Sequence, residues 1–198
     1  MALGDSITAG NGGGYRVKLQ RDLTAGGRRF TMVGSQEDGS DDPAIQNGHE
    51  GHPGFWIENL AEQVDVWIRP RQPDVVLLMA GTNDILNDSP SNAVPNRLSE
   101  LIDKVAAAAP NATILVSAVP SLLGKDQARL AYNAAIPGVV SPKQAAGKKV
   151  AFVDVAAGVQ LTDLRDGVHP NEAGDEKLGA AWAKALDKVY DDEASGRP

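Results

Sequence analysis

At 198 residues the chain fits a single domain, and a chain of this size buries roughly 70% of its unfolded surface, enough for a core that needs no covalent staples. It contains no cysteine, which excludes thiol nucleophiles, thiolate metal sites and disulfides alike. Acidic residues outnumber basic ones, 26 to 19, for a formal charge of −7, and the basic residues are scattered, which argues against nucleic acid and an anionic membrane surface as partners, since both need clustered Lys and Arg.

Met1-Ala2-Leu3 forms the start of a first strand, too short to be complete. The shortness suggests that the chain begins inside or just before that strand, so the protein is expected to be secreted if a leader or upstream segment has been removed and cytoplasmic otherwise. Tyr15, Leu19 and Leu23 recur at helical spacing and predict a helix from Gly14 to about Ala25, ended by Gly26-Gly27. Phe30 to Val33 reads as a short second strand, and Gly34 to Pro53 as a long polar loop without apolar periodicity. A helix over Ile57 to Ile68 follows. Val75 to Ala80 is a continuous apolar run of strand length, the pattern of a central parallel strand covered on both faces.

Leu98, Leu101, Ile102 and Val105 mark the next helix, Thr113 to Val119 the next buried strand. Gln127 to about Ala146 reads as helical with a break near Pro137-Gly138, Val150 to Val155 as a strand, and Leu178, Trp182, Leu186 and Val189 as the stripe of a closing helix. Residues 1–190 are taken as the domain, and 191–198, with the linker-like ending Ala194-Ser195-Gly196-Arg197-Pro198, as a tail. No run of apolar residues is long enough to span a membrane. Five strands alternating with helices imply an α/β three-layer sandwich with a five-stranded parallel sheet, and such sheets bind ligands outside the carboxyl ends of their strands.

Four motifs fall at those ends: Gly4-Asp5-Ser6-Ile7, Gly51-His52-Pro53-Gly54, Gly81-Thr82-Asn83-Asp84 and Asp166-Gly167-Val168-His169-Pro170. Together they supply a serine nucleophile, oxyanion donors, and a base with an orienting carboxylate. In this order the four blocks resemble the SGNH (GDSL-type) hydrolases over essentially the whole chain, with Ile7 where that family often has leucine. Within that family, the stretch His49 to Trp56 is similar to carbohydrate esterase family three, the acetylxylan esterases. The resemblance implies the flavodoxin-like strand order 2-1-3-4-5. It also places Ser6, Gly54, Asn83 and His169 at the positions that give the family its name.

The chemistry needs these residue types. A serine hydroxyl requires a base, which His169 supplies, and a spacing of three residues in a turn lets Asp166 reach back to its Nδ1. The tetrahedral intermediate needs donors, for which the backbone N–H of Ser6, that of Gly54 and the Asn83 amide are the candidates; Gly51 competes with Gly54, and Asn83 alone could be a cap. Glycine suits the second position if close backbone approach leaves no room for Cβ. His49 and His52 are alternative bases, or partners of Asp41, Asp42 and Glu50 in a metal site, although no ligand spacing is recognisable. Trp56, with Phe55, either lines a substrate pocket or belongs to the core. Gly10 to Gly14 lacks the Lys-Ser/Thr of a phosphate loop, and Tyr15 and Trp182 lie on apolar stripes.

The reading is an esterase acting through an acyl-serine, with no cofactor and no metal, on acetyl groups of xylan or a related polysaccharide. A general short-chain esterase, a thioesterase, and a non-catalytic carbohydrate-binding domain of the same fold are the alternatives.

Overall fold

The apolar run at the middle of the chain becomes the strand on which the other elements are hung. In the computed structural model, which describes residues 1–90 and 92–195, strand β3 (Val75–Met79) lies between β1 (Ala2–Gly4) and β4 (Thr113–Ser117). Beyond these sit β2 (Glu50–Gly51) and β5 (Val150–Val153), giving a five-stranded sheet in the order β2-β1-β3-β4-β5, parallel throughout. The expected sheet and strand order are both present. Val76 to Met79 are buried because helices cover both faces, which is why this strand is apolar at every position instead of every second one.

The helices are α1 (Ser6–Ala9), α2 (Tyr15–Ala25), α3 (Ile57–Ile68), α4 (Thr82–Leu86), α5 (Ala93–Ala108), α6 (Asp126–Ala145) and α7 (Glu172–Ser195). Helices α2 and α7 pack on each other, and α3, α5 and α6 pack in succession. Tyr15 on α2 and Trp182 on α7 are both fully buried with ring centroids 6.4 Å apart. Each such side chain contributes roughly 2–3 kcal/mol by leaving water. No helix among the described residues is long and apolar enough to cross a membrane.

Two expectations need correction. Phe30 to Val33 is not a strand; the second strand is Glu50–Gly51, inside the stretch read as loop. Phe30 and Val33 instead pack against the core from an irregular segment. Helix α6 does not break near Pro137-Gly138 but runs through both Pro137 and Pro142, because Tyr132, Ile136, Val140 and Lys143 form one continuous buried stripe along it. Helix α7 ends at Ser195, and Gly196 to Pro198 lie outside the described residues.

Candidate active site

β1 delivers the chain to the sheet's carboxyl edge at Gly4, where a Cβ would stand 2.1 Å from the carbonyl oxygen of Met79. The buried Asp5 then turns the chain: its Oδ1 accepts from Ile7 N at 3.0 Å, capping α1 and setting Ser6 on its first turn. Burial raises the Asp5 carboxyl above its ordinary range. Ser6 Oγ lies 2.8 Å from His169 Nε2.

His169 is held by its own loop. Asp166 Oδ1 accepts from the backbone amides of Val168 at 3.0 Å and His169 at 2.7 Å, while its Oδ2 faces His169 Nδ1 at 2.7 Å. Burial opposes the charge on Asp166, but the amide and ring donors outweigh it and hold the carboxyl at about 2. An ionised carboxylate only accepts, so Nδ1 carries the ring proton and Nε2 is left to accept from the Ser6 hydroxyl. Gly167 takes φ +83°, and Leu123, whose N donates to Gly167 O at 2.8 Å, packs where a Cβ would lie.

Beyond the end of β3, Ala80 leads to Gly81 at φ +116°, with the Tyr132 ring 2.8 Å from where a Cβ would be. Asn83 follows on α4, and its Nδ2 donates to Phe55 O at 2.8 Å, leaving its second N–H free of that bond. Asp84 is fully buried: its Oδ2 accepts from Ile57 N at 2.9 Å and its Oδ1 from the Arg97 guanidinium at 3.0 Å. It caps α3 from α4.

Gly54 sits in a turn closed by Phe55 N donating to His52 O at 3.2 Å, with Pro53 second and Gly54 third at φ +80°. This is the residue pattern of a type II turn, whose third residue needs positive φ. Nothing lies within 4 Å of where a Gly54 Cβ would be, so conformation, not close approach, demands glycine there. Close approach is instead found at its rival: a Cβ on Gly51 would stand 2.1 Å from Ala9 N.

The loop histidines are engaged elsewhere. His49 is fully buried, its Nδ1 accepting from Gly51 N at 2.9 Å, and burial lowers its pKa. His52 Nε2 meets Glu50 Oε2 at 2.9 Å. Asp42 pairs with Arg21 at 3.2 Å. Among the described residues, no group of three or more His, Asp or Glu side chains is placed to hold a metal ion. Trp56 is half-buried with Arg97 5.8 Å over its ring.

Sequence reading missed Arg16. It is fully buried and donates to Thr8 O and Ala9 O, at the end of α1, and to Asn47 O and Asp38 O in the 34–53 segment. An arginine on a helix carries no local signal of such a role; nor does Arg97. A cavity of about 560 Å³ lies at the opposite, amino ends of the strands, between Met1, Phe30, Val75 and Tyr190. One of about 390 Å³ flanks the His169 loop, between Gly12, Arg165, Asn171 and Asp175.

The chain as a whole is similar to known proteins. Residues 2–177 match the profile of the GDSL-like Lipase/Acylhydrolase family. A family 3 carbohydrate esterase from Clostridium thermocellum is 37% identical, with a TM-score of 0.84 and 96% of each chain covered. An acetyl esterase, solved as a mutant with acetate ion, is 28% identical, with a TM-score of 0.87 and 97% of each chain covered. A multidomain esterase of Ruminococcus flavefaciens is 31% identical over 94% of this chain. The chain spans 28% to 56% of the lengths of the curated relatives it matches.

Proposed function

The chain belongs to the GDSL-like lipase/acylhydrolase family, and from that premise we propose that it is a carboxylic ester hydrolase that removes acetyl groups from xylan or a related polysaccharide through an acyl-serine. Ser6 Oγ attacks the ester carbonyl, and His169 Nε2 takes its proton and returns it to the leaving sugar oxygen. Asp166 holds the ring tautomer and offsets the imidazolium charge. The Ser6 and Gly54 amides and the free N–H of Asn83 meet the oxyanion. Water then repeats the sequence against the acyl-serine, and acetate leaves. The machinery uses no cofactor and no metal.

The observation that carries this reading is the unbroken relay Ser6–His169–Asp166, with contacts of 2.8 and 2.7 Å. The small acyl group is supported by what surrounds it. Ser6, Asn83 and His169 are flanked mainly by Gly, Asn, Asp and Thr, and neither cavity described above is an apolar trough opening on Ser6. The acetyl esterase and the family 3 carbohydrate esterase named above support the same acyl group and carrier. Trp56, half-exposed beside the Gly54 turn, is assigned to the sugar side of the cleft. Acetate release from acetylated xylan by the wild type, absent in Ser6→Ala, is the deciding experiment. Esters cleaved by the wild type with no acetate from any acetylated polysaccharide would leave a general short-chain esterase or thioesterase.

A further inference from the structure

The position of the Gly54 amide poses a physical problem. Pro53 and Gly54 are exposed, and a Gly54 Cβ would meet nothing within 4 Å, so the crest of this turn makes no packing contact of its own there. An oxyanion donor displaced by an ångström loses most of its worth. Its flanks must therefore fix it. On the downstream side Asn83 and Asp84 hold Phe55 O and Ile57 N. On the upstream side the holder is His52, whose N donates to Gly4 O at 2.9 Å, beside the strand that ends at the nucleophile.

We propose that His52, fixed by Glu50, is a positioning residue for the oxyanion donor at Gly54, an inference that rests on the acyl-serine reading above. The His52 ring stacks on Trp67 with centroids 4.0 Å apart and planes 9° apart, and on Phe55 at 5.1 Å and 28°. Its in-plane rotation is set by Nε2–H donating to Glu50 Oε2 at 2.9 Å. Glu50 is fully buried and is itself fixed by Ser35, whose Oγ donates to Oε2 at 2.8 Å and whose backbone N donates to Oε1. A buried carboxylate with these donors has one orientation, and the ring that completes the set inherits it. The histidine is thus clamped face and edge, two residues before the donor. The Phe55 ring stacked on it follows the donor by one, so the crest is gripped from both sides.

The test is His52→Phe, which keeps a ring against Trp67 and Phe55 but removes the donor to Glu50, assayed with p-nitrophenyl acetate. We expect kcat to fall roughly ten- to a hundredfold with KM within twofold. The rate of phosphonylation of Ser6 by a small p-nitrophenyl phosphonate should fall in the same proportion, since that step develops the same oxyanion. Circular dichroism and active-site titration establish the folded, competent fraction. Unchanged kcat per titrated site overturns the proposal, whatever the change in Tm. If His52→Phe does not fold, Ser35→Ala decides: a loss of about threefold in kcat and in phosphonylation with KM unchanged supports the clamp, and wild-type values for both overturn it. Asn83→Ala, run alongside, separates the two levels. A large kcat loss there beside normal His52 and Ser35 variants removes the positioning role alone, whereas normal kcat in Asn83→Ala removes the oxyanion reading beneath it.

Discussion

The two sides of the catalytic edge are built in opposite ways. The base and its carboxylate belong to one short loop: Asp166, its side chain about half exposed, bonds Val168 N, His169 N and the His169 ring, all within four residues. The 50–57 segment opposite is held by two fully buried carboxylates, Glu50 and Asp84, whose partners lie as far away as Ser35 and Arg97. Charge and geometry place different demands on their surroundings. A carboxylate that must stay ionised is best left wet and ringed with amides; a backbone amide that must stay in place is best wired into a dry interior, where each hydrogen bond is stronger and each loss dearer.

The largest test breaks the loop side. Ser6→Ala or His169→Ala each lowers kcat by about 10⁴ to 10⁶ in a protein that stays folded, because the two act as a unit. More than a tenth of wild-type activity in purified, folded Ser6→Ala removes the nucleophile assignment. The second breaks the wired side: Asn83→Ala costs about 10² to 10³ in kcat with little change in KM. Asn83→Asp is worse, since it sets an acceptor against the oxyanion. Next comes the cleft between them. Acetyl esters are preferred over octanoyl esters by at least about tenfold in kcat/KM, about 1.4 kcal/mol of transition-state discrimination, and a preference for octanoyl contradicts the small-acyl reading.

The smallest effect sharpens the contrast through a carboxylate that is neither wet nor well paired. Burial pushes Asp175 up to about 6, with Arg165 acting the other way. A folded-state pKa above the unfolded value means that the folded protein binds more protons between about pH 4 and 6, so stability falls as pH rises through that window. Asp175→Asn therefore raises Tm at pH 7.5, by a free energy on the order of 1–2 kcal/mol, and the gain disappears below about pH 4. Equal Tm shifts at both pH values would show that the charge is not the cause. Asp166, held at about 2, acts in the other sense: its contribution to stability is full above about pH 4 and is lost as the pH falls toward 2.

The two sides also differ in how far a reader of the sequence can see them. The Asp166–His169 pairing is legible because both ends lie three residues apart. The strand run from Val75 and the stripe of α2 are legible for the same reason, periodicity being local. The second strand is not. Glu50–Gly51 has no strand pattern, and is made a strand by pairing with Leu3 and Gly4 and by the contact of Gly51 with Ala9. Phe30 to Val33 has the apolar content of a strand, but its backbone at Phe30 and Met32 bonds the Gln46 side chain instead of a neighbouring strand. At Pro137 the local break loses to a buried stripe that continues past it. At Gly54 the physical reason for glycine differs from the expected one: φ decides there, and crowding decides at Gly51.

Arg16 gives the 34–53 segment a meaning beyond architecture. Its buried guanidinium grips both the tail of the nucleophile's helix and the carbonyls of that segment. Opening the segment would break the Asn47 and Asp38 bonds of the same guanidinium that holds the Thr8 and Ala9 carbonyls next to Ser6, so the two regions are expected to open together. Amide exchange in the segment and at α1 should then share one opening free energy. Cuts or insertions that loosen the outer surface would be felt at the serine before they are felt by the core.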